Sequence, residues 1–194
     1  MIPYQQALRL FVAVELSPGV RRKLMDAQRR LAPECPDVRW TREDALHLTV
    51  RFIGDAPVGQ VEALAKALTA QAREVEPVDL RVEGLGCFPA AGRVRVIWAG
   101  AEEETGDLAR LAENVDRALA ELGYPSDGKP FRPHITLGRL KEDRSGGAVR
   151  RAVEGAAFRG GIEGVDELVL MASDLSSRGP RYSVISHHAL GEIE

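Results

Sequence analysis

The tetrapeptide His47-Leu48-Thr49-Val50 recurs, 87 positions further on, as His134-Ile135-Thr136-Leu137. Both copies alternate polar and apolar residues, the period of a strand with one buried face. A chain carrying this pattern twice must build two strands whose apolar sides enter a core. Imidazole and hydroxyl are then left together on the opposite face of each. The elements around the two copies are of similar kind, so a duplicated half-molecule with a pseudo-two-fold axis would set the polar faces against each other. The product is a cleft with two imidazoles and two hydroxyls. Two tetrapeptides do not by themselves establish a duplication.

The surrounding sequence supplies the other elements. Strands are expected over 8–16, 38–40, 45–53 (stopped by Gly54), 78–88, 93–99, 131–140, 165–173 and 181–190. Ser17-Pro18 offers an N-cap with proline at the first helical position, and Val20, Leu24, Ala27 and Leu31 give that helix its stripe. It should end near Pro33. A second helix is expected to open at Asp55 and Pro57, run along Val61, Leu64, Ala65 and Leu68, and end by Pro77. The stripe from Leu108 to Leu122, with Gly123 as a stop, predicts a third helix, and 148–153 a shorter one. Loops are expected at 143–147 and 176–180, neither long enough to link separate domains.

At 194 residues the chain suits one domain or two intimately packed lobes. Its net charge of −3 excludes a basic surface that coats nucleic acid, so any contact with RNA is local, at an end or a single phosphate. Two cysteines, Cys35 and Cys87, with no Cys-x-x-Cys pair, fit a reduced cytoplasmic setting, with a single bridge as the alternative. No apolar run approaches a membrane span, and residues 1–6 lack the charged start of a signal peptide.

The paired His-x-Thr strands suit displacement at phosphorus, which is in-line, with nucleophile and leaving oxygen on opposite sides. One neutral histidine takes a proton from water, and the other, protonated, gives one to the departing ribose oxygen. An ordinary histidine pKa of about 6.5 makes both forms accessible near neutral pH. Threonine hydroxyls can hold the nonbridging oxygens. A lone strand histidine is usually structural, but two matching copies weigh against that reading. Metal binding is a poorer fit: His-x-His, His-Glu-x-x-His and Cys/His clusters are absent, and two histidines with two threonines make a weak zinc set.

Longer stretches then carry a family resemblance. Arg9-Leu10-Phe11-Val12-Ala13, His47 through Gly54, Phe131 through Arg139, Leu170 through Leu175 and Gly179-Pro180-Arg181-Tyr182 stand in the order and spacing of the two-histidine (2H) phosphoesterases. The sequence resembles in particular their bacterial and archaeal RNA 2′,3′-cyclic phosphodiesterases, once called 2′-5′ RNA ligases. The resemblance covers nearly the whole chain. It implies an α+β fold of two pseudo-symmetric lobes, each an antiparallel sheet backed by helices, with the active site in the groove between them. Residues 1–194 are then a single domain of two interleaved lobes, expected to be monomeric. The implied enzyme needs no metal or other cofactor. Its partners are RNA with a 2′,3′-cyclic phosphate end or a cyclic nucleotide. The product is a 2′-phosphate end, and a reversible 2′-5′ ligase activity accompanies the family.

By the same resemblance His47 and His134 are catalytic, His47 protonating the leaving O3′ and His134 activating water, although the sequence treats the pair symmetrically. Thr49 and Thr136 bind the phosphate and Arg139 neutralises it. Strict alternation sends Arg139 to the face opposite His134, so a bulge or strand end near Gly138 is required. Alternation also places Arg51 with His47 and Arg132 with His134, making them second candidates for the phosphate, with solvated surface arginines as the alternative. Phe11, on the less apolar face of its strand, is expected to stack on a terminal base, core packing being the other reading. His187 and His188 should be structural or surface residues. The arginines at 21–22, 29–30 and 150–151 are expected on solvated helix faces. Rival functions are another 2H activity, such as opening a cyclic phosphate on an ADP-ribose derivative, or a binding module without catalysis.

Overall fold

The structure, a computed structural model, describes residues 7–126, 128–176 and 179–191. The segment 1–6 and part of the expected loop 176–180 lie outside the described residues. Nine strands are formed among the described residues: β1 (Ala7–Glu15), β2 (Arg39–Trp40), β3 (His47–Pro57), β4 (Val78–Phe88), β5 (Val96–Glu102), β6 (His134–Arg139), β7 (Arg159–Val165), β8 (Glu167–Ser176) and β9 (Gly179–Ala189). The helices are α1 (Pro18–Leu31), α2 (Val61–Ala72), α3 (Asp107–Glu121) and α4 (Ala148–Gly155). The expected α+β class is what is observed.

The strands make one antiparallel sheet in the order β7-β4-β5-β6-β3-β1-β8-β9, with β2 attached to β6. At its middle, β3 and β6 share a single registered pair, Leu48 with Ile135. By contrast β3 pairs with β1 along the whole length of β1. The thin seam separates two groups, β3-β1-β8-β9 and β6-β5-β4-β7, that match strand for strand outward. The first group uses the beginning and end of the chain, the second its middle. Helices cross between them: α1, which follows β1, packs on β7, whereas α3, which follows β5, packs on α2 and β3.

Local chemistry explains the elements. Ser17 Oγ accepts from the Val20 N–H at 3.3 Å, capping α1 ahead of Pro18. The Glu163 carboxylate accepts from both the Ser17 N–H and its hydroxyl at 2.9 Å, tying the start of α1 to β7. Val20, Leu24, Ala27 and Leu31 are buried as their spacing demands, and so are Leu108, Leu111, Ala112, Val115 and Leu119 of α3. Each fully buried leucine contributes roughly 2 kcal/mol.

Several expectations need correction. Gly54 does not stop β3; its φ of +90° absorbs the extra residue Ile53 in a bulge opposite Leu10 and Phe11, and the strand runs on to Pro57. Consequently α2 starts only at Val61, after a 3-10 turn, and it ends at Ala72, well before Pro77. The strand β7 has no counterpart among the expected elements, which leave residues 154–164 unassigned. Tertiary packing explains it: a Cβ on Gly160 would sit 2.8 Å from Val82 Cγ1, so glycine allows close strand approach. Two arginines expected on solvated faces instead hold loops. Arg21 Nε donates to the Leu16 carbonyl at 2.8 Å, and Arg150 donates to the carbonyls of Pro89 and Gly92 at 2.9 and 3.2 Å. His188 is buried, with Thr69 Oγ1 and Ser186 Oγ 2.8 and 2.9 Å from its two ring nitrogens, and exposed His187 pairs with Glu167. Cys35 and Cys87 are buried, unbridged thiols.

Candidate active site

The seam between β3 and β6 is where the four repeated polar residues meet. Because Leu48 faces Ile135, the register sets His47 opposite Thr136 and Thr49 opposite His134. Leu48 and Ile135 are fully buried behind them. Extended one residue each way, that register assigns the two imidazoles to one diagonal of a four-cornered face and the two hydroxyls to the other.

Backbone carbonyls fix both rings in the same way. His47 Nδ1 lies 2.9 Å from the Ala45 carbonyl, and His134 Nδ1 lies 2.7 Å from that of Arg132. A carbonyl can only accept, so each Nδ1 carries the hydrogen and each Nε2 is the lone-pair nitrogen of the neutral ring. His47 Nε2 is 3.0 Å from Thr49 Oγ1. Aromatic rings support both imidazoles. Phe11 and Tyr182 have centroids 5.0 and 5.1 Å from His47, and Phe88 stands edge-on 5.1 Å from His134, with Trp98 at 6.5 Å. Burial, assisted by the positive charges of Arg139 and Arg21 and opposed by the Ala45 carbonyl, lowers the His47 pKa to about 4. His47 is thus neutral at pH 7 in the ligand-free protein.

Each His-x-Thr strand carries a bulge just past the threonine. Ala13 pairs with Thr49 but Val12 with Arg51, so Val50 is the extra residue of β3. Trp98 pairs with Thr136 but Ile97 with Gly138, so Leu137 is the extra residue of β6. A bulge puts two successive residues on one side and inverts the alternation beyond it. Val50 and Arg51 turn to the core side, and so do Leu137 and Gly138. Phe52 and Arg139 then return to the cleft.

This corrects the placement of Arg51. Its guanidinium pairs with Asp116 on α3 and donates to the carbonyls of Tyr124 and Pro125, at 3.3 and 2.7 Å, away from the cleft. Arg132 does not reach the cavity either: it precedes β6 and engages His134 through its backbone carbonyl. Phe11, expected as a stacking surface, is 2% exposed and lies beneath His47, Tyr182 and Phe52. The aromatic presented to solvent there is Phe52, 59% exposed, with its centroid 5.9 Å from that of Phe11. Straight alternation hides Phe52; the bulge that reveals it has no signal in the residues.

A cavity of about 480 Å³ opens on this face. Its lining includes His47, Thr49, Thr136 and Arg139, together with Phe52 and Tyr182. His134 is not among its lining residues; it stands two strand positions before Thr136, over Phe88 and Trp98. Among the described residues no group of three or more His, Cys, Asp or Glu side chains converges as a metal site. Among them, too, no helix is long and apolar enough to cross a membrane.

The chain is similar to known proteins over most of its length. A family model described as the 2′-5′ RNA ligase superfamily matches residues 35–175. A protein of Archaeoglobus fulgidus named RNA 2′,3′-cyclic phosphodiesterase is 36% identical, covering 90% of this chain and 96% of its own. One of the same name from Aquifex aeolicus is 32% identical over 79% of this chain and 82% of its own. Among solved structures, TT0787 of Thermus thermophilus superposes with a TM-score of 0.79 at 31% identity, covering 96% of this chain and all of that one. E. coli LigT complexed with 3′-AMP gives a TM-score of 0.79 at 26% identity, covering 96% and 99%. With the paired His-x-Thr strands meeting at the seam, this chain belongs to the 2′-5′ RNA ligase superfamily.

Proposed function

We propose that the chain is a hydrolase that opens 2′,3′-cyclic phosphates at RNA ends to leave a 2′-phosphate, with His47 and His134 as its acid–base pair. The observation that carries the reading is the registered Leu48–Ile135 pair, which sets the two His-x-Thr strands side by side, with each imidazole held through Nδ1 by a backbone carbonyl. In-line displacement needs a proton acceptor on the water side of phosphorus and a proton donor on the leaving side, and the two imidazoles supply both. Thr49, Thr136 and Arg139 hold the nonbridging oxygens. The shared name of the relatives supports the same chemistry.

The division of labour in this reading is the one the family resemblance implies. His134 accepts the proton of the attacking water. His47 delivers one to O3′, although burial keeps it neutral without ligand. The anionic phosphate brings the compensating charge, so His47 becomes protonated as substrate binds. The weak basicity of His47 then makes it a ready donor. The strained cyclic ester leaves little for a metal to do. A 5′-hydroxyl in place of water would give 2′-5′ joining by the same steps.

The test is to incubate the protein with a 2′,3′-cyclic-ended oligonucleotide in excess chelator and identify the product isomer. A 2′-phosphate end is expected. A 3′-phosphate product, or activity abolished by chelator and restored by zinc, overturns the proposal.

A further inference from the structure

The bulge at Leu137 brings Arg139 into the cleft, so whatever holds that bulge aims the phosphate-binding guanidinium. The Leu137 carbonyl accepts from the Thr41 N–H at 2.8 Å and from Gln28 Nε2 at 2.9 Å. The same Gln28 nitrogen donates to the Thr41 carbonyl at 2.9 Å. Gln28 lies on α1, is 3% exposed, and stands 109 positions from Leu137 in sequence. Two carbonyls around one nitrogen fix the amide orientation, because a carbonyl accepts and cannot donate. A buried polar side chain on an otherwise apolar helix face costs free energy unless its bonds are made, and these two are spent on the bulge and on Thr41, the residue that follows β2. On that strand, Arg39 pairs with Arg139 and Trp40 with Gly138. A Cβ on Gly138 would lie 2.5 Å from Val38 Cγ1 and 3.1 Å from Trp40 Cε3, so the bulge also fits tightly against β2.

We infer that Gln28 is a positioning residue of the reaction: its amide clamps the Leu137 bulge to Thr41 at the exit of β2 and thereby holds Arg139 in the cleft. The inference rests on the reading of Arg139 as the phosphate ligand. Without the clamp, β6 can relax toward plain alternation, in which Arg139 faces the core side and leaves the phosphate. Gln28 touches no substrate and acts through Arg139.

A double-mutant cycle on phosphate affinity separates this role from general stability. Gln28→Met keeps length and volume but removes the donor. It is expected to raise KM for a 2′,3′-cyclic nucleotide, and the inhibition constant of inorganic phosphate, by about tenfold, since small misplacements of a binding group carry such penalties. Arg139→Gln should produce a similar or larger rise. In the double variant the Gln28 change should add less than about twofold. Gln28→Glu, which turns a carboxylate toward two carbonyls, provides the second variant should Gln28→Met fail to fold, and it should couple to Arg139 in the same way. Additive losses, or unchanged phosphate inhibition in a folded Gln28 variant, overturn the role of Gln28. Absence of turnover by the wild-type protein sinks the functional reading instead, and the cycle is then read on phosphate binding alone. A wild-type protein that neither turns over nor binds phosphate removes both.

Discussion

The half containing His47 and the half containing His134 share a backbone device and differ in what they present with it. In each, a His-x-Thr strand carries a bulge immediately past the threonine. A helix that follows a strand of the opposite half fastens each bulge: α3 grips Arg51 through Asp116, and α1 grips the Leu137 carbonyl through Gln28. Beyond the bulge, one half delivers Phe52 and the other Arg139, at matching positions. The supports differ as well. Phe11 beneath His47 comes from β1, whereas Phe88 and Trp98 beside His134 come from β4 and β5. The reaction proposed here is itself asymmetric, with water on one side of phosphorus and a ribose oxygen on the other. A nearly symmetric frame brings the two His-x-Thr strands together at one seam, and unlike side chains at equivalent places distinguish the two sides.

The largest effect expected is on turnover. His47→Ala and His134→Ala should each lower kcat by about 10²- to 10⁴-fold while leaving nucleotide binding measurable. A variant retaining more than a tenth of wild-type kcat would mean that its half supplies no proton transfer.

The pH dependence should single out the His47 half. Its pKa, about 4 in the folded protein, is below the ordinary 6.5, so the unfolded chain binds a proton first as pH falls. The stability associated with His47 is fully present above pH 6.5 and is lost as pH falls through about 4. Two and a half pH units correspond to on the order of 3 kcal/mol. Denaturant titrations of wild type and His47→Gln between pH 7 and 4 should converge by that order. NMR titration should also find the His47 midpoint raised by inorganic phosphate and by Arg139→Gln; a midpoint indifferent to both would detach Arg139 from His47.

Breaking the fastening of the first bulge sharpens the comparison further. Arg51→Met removes a partly buried ion pair and two carbonyl contacts, and should cost about 1–3 kcal/mol in chemical denaturation. Its effect on phosphate inhibition should be small, because Phe52, not a cation, stands beyond that bulge. Equal damage to phosphate affinity would contradict the asymmetry. The smallest effect expected is that of Phe52→Ala, about 1–2 kcal/mol in the KM of an oligonucleotide substrate, with kcat held, as for lost stacking on one base. A fall in kcat without a change in KM would place Phe52 in the chemistry.

Much of the site is legible in the sequence because its residues lie inside regular strands with clear alternation. His47, Thr49, His134 and Thr136 fall where period two puts them, and the burial of Leu48 and Ile135 follows from the same pattern. Arg51, Phe52 and Phe11 escape that reading for two reasons. A bulge changes parity without any residue type announcing it, and an aromatic on a polar-looking face can be covered by rings from distant strands. Gln28 gives no signal, since a glutamine on a helix reads as solvated until a carbonyl 109 positions away is seen beside it.

Periodicity by itself determined most of the strands and helices and the pairing of two histidines with two threonines, because each is a property of short-range spacing; the α+β class was implied by the family resemblance. The tertiary structure decided which side chains after each threonine reach the cleft, which aromatic rings floor the imidazoles, and how weakly basic His47 is. Those depend on register, strand approach and burial, which arise when segments remote in sequence meet and exclude water.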